Sequence, residues 1–181
     1  MGEVAVRPAA TRDLPALLEL LGELDRLQRG WRVFRPRPNI REEMEALYRH
    51  SLQDPQSLLL VATEDDQVIG MALARAHTPS SFSGERAVEM SSVVVKPSHR
   101  GRGAGAALAA EAARFAGRLR LERVTIKTFA QNTGALRFWR RLGFEPRMVQ
   151  MTARAADLIR SSPPVAAEGS RAESSGGVPG S

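Results

Sequence analysis

Thirteen residues from Val93 to Gly105 constrain this chain more than any other stretch; they read VVVKPSHRGRGAG. Three consecutive valines favour an extended, buried strand, and Pro97 stops it. Glycines at 101, 103 and 105 then crowd the point where a long alanine-rich helix begins. The first turn of a helix has backbone N–H groups without intrahelical partners, and they lie at the positive end of its dipole. A glycine-rich entry lets a bulky anion approach that backbone, and Arg100 and Arg102 add charge. The residues Arg100, Gly101, Arg102, Gly103, Ala104, Gly105 and Ala106 therefore form a candidate pyrophosphate cradle.

The order of elements narrows the fold. Glu3 to Arg7 reads as a strand before Pro8. Thr11 is placed to cap a helix carrying Leu14, Leu17, Leu18, Leu21 and Leu24 at helical spacing, ending near Gly30. A second helix is expected from Ile40 to Leu52. Leu58–Thr63 and Val68–Ala76 flank a tight acidic turn, Glu64-Asp65-Asp66-Gln67, and read as a hairpin. Ala87 to Lys96 is a fourth strand, Ala104 to Leu119 a third helix, and Arg123 to Thr128 a fifth strand. Asn132 to Leu142 is a fourth helix, with Gly143 suited to its left-handed C-terminal position. Phe144 to Arg154 is expected to supply one or two closing strands. Hairpins mixed with helical crossovers predict an α/β (α+β) fold: a mixed sheet with helices on its faces.

Composition excludes several classes. There is no cysteine among the 181 residues, so disulfides and thiolate ligands are ruled out. The histidines His50, His77 and His99 have no ligand spacing, and no metal site is expected. The opening residues show no signal-peptide pattern, no run is apolar enough to span a bilayer, and a cytoplasmic location is expected. The net charge is +6, and of 26 basic residues only Lys96 and Lys127 are lysines. Such a charge fits anionic partners, either nucleic acid or a phosphorylated small molecule. No nucleic-acid motif accompanies it, so no nucleic-acid partner is expected. Ser162 to Ser181, rich in Ser, Gly and Pro, is too poor in large apolar side chains to pack. The expected organisation is a folded domain over 1–159 and a disordered tail over 160–181.

Gly101-x-Gly103-x-x-Ala106 also fits a loose dinucleotide pattern, but it follows the fourth strand rather than opening a βαβ series. No Gly-Lys-Ser/Thr follows, so a P-loop is excluded. Arg100-x-x-Gly103-x-Gly105 instead resembles the Q/R-x-x-G-x-G/A signature of the GNAT N-acetyltransferase superfamily. Asn132-x-x-Ala135-x-x-Phe138-Trp139-x-x-x-Gly143-Phe144 is similar to the family's N-x-x-A-x-x-F-Y-x-x-x-G-F helix. Val6-Arg7-Pro8-Ala9 and Asp13-Leu14-Pro15 resemble its opening. The resemblance spans residues 3 to about 155.

It implies a mostly antiparallel central sheet of six to seven strands, four flanking helices and a splay between strands 4 and 5. Acetyl-CoA would enter that splay as co-substrate. Backbone groups of Val93, Val94 and Val95 would pair with its pantetheine, and Asn132, also a preferred helix cap, would meet the pantetheine–pyrophosphate arm. Acetyl transfer needs a neutral amine, hence a base. Glu89 is the candidate, since some members carry a glutamate there. Strand alternation would put it on one face with Val93 and Val95. Ser91 and Ser92 could anchor water, and His77 is a weaker base candidate.

Trp139 occupies the position where the family often has a tyrosine acid, so the departing thiolate would draw its proton from water or the amine. Direct transfer in a ternary complex, without an acyl-enzyme, is expected. An acyl-CoA-binding module without turnover is the alternative. The acceptor would be a small-molecule or peptide amine. The segment Arg29 to Arg41, with five arginines and two aromatics in 13 residues, is the expected acceptor loop. A homodimer is compatible with the family.

Overall fold

A computed structural model of the chain describes residues 2–30, 38–77 and 85–161. Trp31–Arg37 of the expected acceptor loop and the expected tail from Ser162 onward lie outside the described residues. The rest divides into two compact units between Glu145 and Pro146.

In the first unit the sheet has five strands: β1 (Ala5–Pro8), β2 (Ser57–Glu64), β3 (Gln67–His77), β4 (Ala87–Val95) and β5 (Val124–Ile126). They lie in sequence order, antiparallel except for β4 and β5, which run parallel. That one parallel pair needs a crossover, and α3 (Ala104–Arg118) supplies it. The helices α1 (Leu14–Arg29), α2 (Ile40–Ser51) and α4 (Thr133–Arg141) complete the unit.

Each face of the sheet carries its own core. On one, Leu17, Leu20 and Tyr48 of α1 and α2 bury against Leu59, Val61, Met71, Leu73 and Val94. On the other, Leu108, Ala112 and Phe115 of α3 and Trp139 of α4 cover Leu60, Ala72, Ala74, Val88 and Met90. Full burial of each large side chain contributes about 1.5–3 kcal/mol. The alternation of β2 follows directly, odd positions on the α1/α2 face and even ones on the α3 face.

Three expectations need correction. Phe144 to Arg154 forms no strand, so the sheet stops at five; a β-prone run becomes a strand only where an edge pairs with it. A fifth helix, α5 (Ala155–Ser161), stands in the second unit instead. Thr11 does not cap α1. It opens a short 3-10 turn, and Asp13 holds the entry by accepting from Ala10 N at 2.7 Å. Arg7 donates to both Asp13 oxygens at 2.7 and 2.9 Å. This fork holds the Asp13 carboxyl below the usual range, against the opposing effect of burial.

Candidate active site

The site begins with a fault in β4. Gly70 pairs with Val95 and Met71 with Val94, but Leu73 pairs with Ser91, so Ser92 and Val93 together oppose Ala72. This is a β-bulge, and Ser92 takes φ 51° to make it. A bulge inserts one residue and reverses which side chains face which side. Val88 and Met90 face the α3 core before it, and Val93 and Val95 face the same core after it. Glu89 and Ser91 therefore share the opposite face with Val94. The expected common face of Glu89 with Val93 and Val95 is corrected: alternation holds only in an unbroken strand.

The second feature is a parting of strands. β4 and β5 pair only at Val88–Val124, Glu89–Thr125 and Met90–Ile126. Beyond Met90 the β5 side of β4 has no strand partner among the described residues, which leaves the gap expected between strands 4 and 5. Val93, Val94 and Val95 run along this half; Val93 and Val95 turn their backbone groups to the free edge, and the Val94 carbonyl is turned to Gly70 of β3.

That half runs into the glycine turn. Gly101 and Gly103 take φ 79° and 89°, the left-handed region that penalises any Cβ by roughly 1–2 kcal/mol. A Cβ built on either would meet nothing within 4 Å, so the backbone there faces open space. Gly103 sits at the N-terminus of α3, just before Ala104, Gly105 and Ala106. Gly105 has a different reason to be glycine: a Cβ there would lie 2.9 Å from the Phe138 ring. Its missing side chain seats α4 against α3.

The two arginines of the turn are engaged within the chain. Arg100 Nε donates to the Val95 carbonyl at 3.0 Å. Arg102 Nη1 donates to both Glu64 oxygens at 3.2 and 3.1 Å, and His99 Nε2 lies 3.4 Å from the same carboxylate. Glu64 is only 8% exposed at the end of β2. Sequence reading placed it merely in an acidic turn; its partner lies 38 residues away. It ties the glycine turn to the β2–β3 reversal.

Glu89 sits in a second cluster. Lys127 Nζ lies 2.8 Å from Glu89 Oε2, and His77 Nε2 lies 4.0 Å from the same oxygen. Arg75 and Thr125 are its direct cross-strand neighbours and share its face. The Thr125 hydroxyl is buried there without a hydrogen-bond partner. Lys127 and Thr125 were missed from sequence, because only the parallel register puts them beside Glu89.

Two aromatic positions resolve simply. Trp139 is buried edge-on between Phe138 and Phe144, with ring centroids 4.7 and 5.2 Å away. Tyr48 is fully buried beneath β4. Burial pushes its hydroxyl above the usual tyrosine range; Ser92 lies near enough to oppose that shift, but not in hydrogen-bonding geometry. Asn132 caps α4, its Oδ1 accepting from Ala135 N at 3.0 Å. Arg29 of the expected acceptor loop pairs with Asp25 at 2.6 Å.

Among the described residues no cluster has metal-ligand character, and no helix is long and apolar enough to cross a membrane. The family model of the GNAT acetyltransferases matches residues 24–144. No curated protein matches the chain. Several solved structures share its fold. The aminoglycoside N-acetyltransferase AAC(6')-Iy in complex with CoA aligns at TM-score 0.70 and 20% identity, over 85% of this chain and 95% of its own. A transcriptional regulator from Bacillus halodurans aligns at 0.68 and 21%, over 84% and 99%. A predicted acetyltransferase from Clostridium acetobutylicum, solved with acetyl-CoA, aligns at 0.66 and 14%, over 86% and 98%.

Proposed function

The chain belongs to the GNAT acetyltransferase family, and from that premise we propose that it transfers an acetyl group from acetyl-CoA to a primary amine. The observation that carries this reading is the free half of β4, which leads straight into an open glycine turn at a helix N-terminus. The fit to a CoA-like group rests on that geometry. The turn offers unscreened backbone N–H groups and room for phosphate oxygens. The unpaired edge offers amide-pairing groups at Val93 and the N–H of Val95; the Val94 carbonyl is turned to Gly70 of β3, and the Val95 carbonyl accepts from Arg100.

In this reading Val93 and the Val95 N–H bind the pantetheine amides as a neighbouring strand would, with Val94 holding the segment to β3 between them. A backbone N–H on the same edge stabilises negative charge developing on the thioester oxygen. Residues 101–106 hold the pyrophosphate mainly through backbone, because Arg100 and Arg102 are already bonded within the protein. Asn132 keeps α4 in place beside the turn. Glu89 accepts the acceptor's proton, directly or through water, with Lys127 2.8 Å and His77 4.0 Å from the same carboxylate oxygen. Trp139 supplies no acid, so the thiolate takes its proton from water or the incoming amine. Transfer is direct from the thioester to the amine in a ternary complex, and no cysteine is present to form a thioester with the acyl group.

A second reading, an acyl-CoA-binding module without turnover, is favoured by the core burial of Trp139 and by Lys127 sitting on the candidate base. Calorimetry with acetyl-CoA, on wild type and Gly103→Asp, separates the readings when joined to thiol release with a panel of amines. Wild-type binding lost in the variant, with turnover of an amine, supports the enzyme. Binding without turnover supports the module. No binding overturns both. Gly105 is left intact in this test, since any side chain there would strike Phe138.

A further inference from the structure

Lys127 is one of only two lysines in the chain, and its ammonium rests on the carboxylate proposed to deprotonate the acceptor. It directly follows Ile126, the last β5 residue paired with β4. Its side chain therefore leaves the backbone where the two strands part. The Glu89 side chain is 24% exposed and that of Lys127 is 81% exposed, so the lysine is free to swing while the carboxylate stays set in the sheet. A flexible primary amine at the mouth of the gap, in contact with the base, has the placement of an acceptor.

We propose that Lys127 is a self-acylation site, a statement that rests on the acetyltransferase reading above. The ammonium gives a proton to Glu89 across the 2.8 Å contact. The neutral Nζ then adds to the thioester carbonyl carbon. The new C–N bond forms, the C–S bond breaks, and CoA leaves as a thiolate that takes up a proton. The products are Nε-acetyl-Lys127 and free CoA. Tethering replaces a bimolecular encounter by an intramolecular one, so no external amine is needed. The product is an amide, which is stable and passes its acyl group to nothing. It is a modification of the site, not a step of turnover.

Modification also changes the site's electrostatics. The acetylated side chain carries no charge, and Glu89 loses the cation that occupies it. His77, 4.0 Å from the same oxygen, and the cross-strand neighbour Arg75 remain on that face. An acceptor amine then meets a vacant carboxylate instead of competing with Lys127.

The test is incubation of the full chain with isotope-labelled acetyl-CoA and no acceptor, read by intact mass and peptide mapping. Mapping separates Lys127 from Lys96 and from the terminal amine. The expected result is one acetyl group at Lys127, none in Lys127→Arg, and labelling slowed at least about tenfold in Glu89→Gln. Acceptor amine added afterwards leaves the label in place. Lys127→Gln, neutral like the acetylated residue, is expected to acetylate external amines without the initial lag of wild type. Equal labelling of Lys96, or equal labelling of urea-unfolded protein, overturns the proposal as plain chemical acylation. Absence of label in a protein that binds acetyl-CoA and acetylates an amine overturns it while leaving the acetyltransferase reading intact. Failure of binding, turnover and label together removes both.

Discussion

The two halves of β4 differ in how they offer chemistry. Val88 to Met90 is paired on both edges, and what it presents is a side chain, Glu89. Ser92 to Val95 is paired on one edge only, and what it presents is backbone. The bulge at Ser92 separates them and turns their side chains to opposite faces. The contrast teaches that the first half depends on residue identity and the second on shape. Substitutions in the first half should change the rate of a bound complex, and those around the second should change whether the complex forms.

The sharpest test of that division is Glu89→Gln. It is expected to lower kcat by about 10²- to 10⁴-fold while leaving acetyl-CoA affinity by calorimetry near wild type. Loss of affinity in step with rate would erase the distinction. Glu64→Gln acts on the other half, by releasing Arg102 and His99 from their shared carboxylate. Acetyl-CoA binding should weaken about tenfold, near 1.4 kcal/mol, with kcat at saturation little changed. Next in size is Gly103→Ala, which forces a Cβ into the left-handed region. It should cost about 1–2 kcal/mol, seen in thermal unfolding and again in cofactor affinity. Smallest is Ser92→Gly. Relief of the positive φ, worth about 1 kcal/mol, is nearly offset by the flexibility of an unfolded glycine, so stability should move by less than about 0.5 kcal/mol. A β-branched Ser92→Val, by contrast, should be clearly destabilising and should blur the parting of the strands.

Legibility from sequence followed the same line. The glycine turn was readable because φ 79° and 89° demand a residue type that is visible in the string. The valine strand, the capping Asn132 and the core helices were readable from local periodicity. The bulge was not, since it is decided by how Leu73 and Met71 pair across to β4. Missing it put Glu89 on the wrong face. Glu64 and Lys127 were hidden for a related reason: each meets its partner about 38 residues away, at a contact that strand register creates. Gly105 was legible as a glycine, but the ring of Phe138 that excludes a Cβ there was not, because it comes from another helix. The closing strands expected after Phe144 failed where propensity had no edge to pair with.

The brevity of β5 bears on the order in which the molecule assembles. Three parallel pairs are a small return for closing a chain segment of more than thirty residues, so this strand is expected to dock after β2, β3 and β4 have paired. In native-state hydrogen exchange, the amides of Val124 to Ile126 should open at lower free energy than those of β2 and β3. The last piece of the sheet to arrive, and the first to leave, thus carries Lys127 up to Glu89. The chemistry of one end of the site is completed by the least anchored strand in the fold.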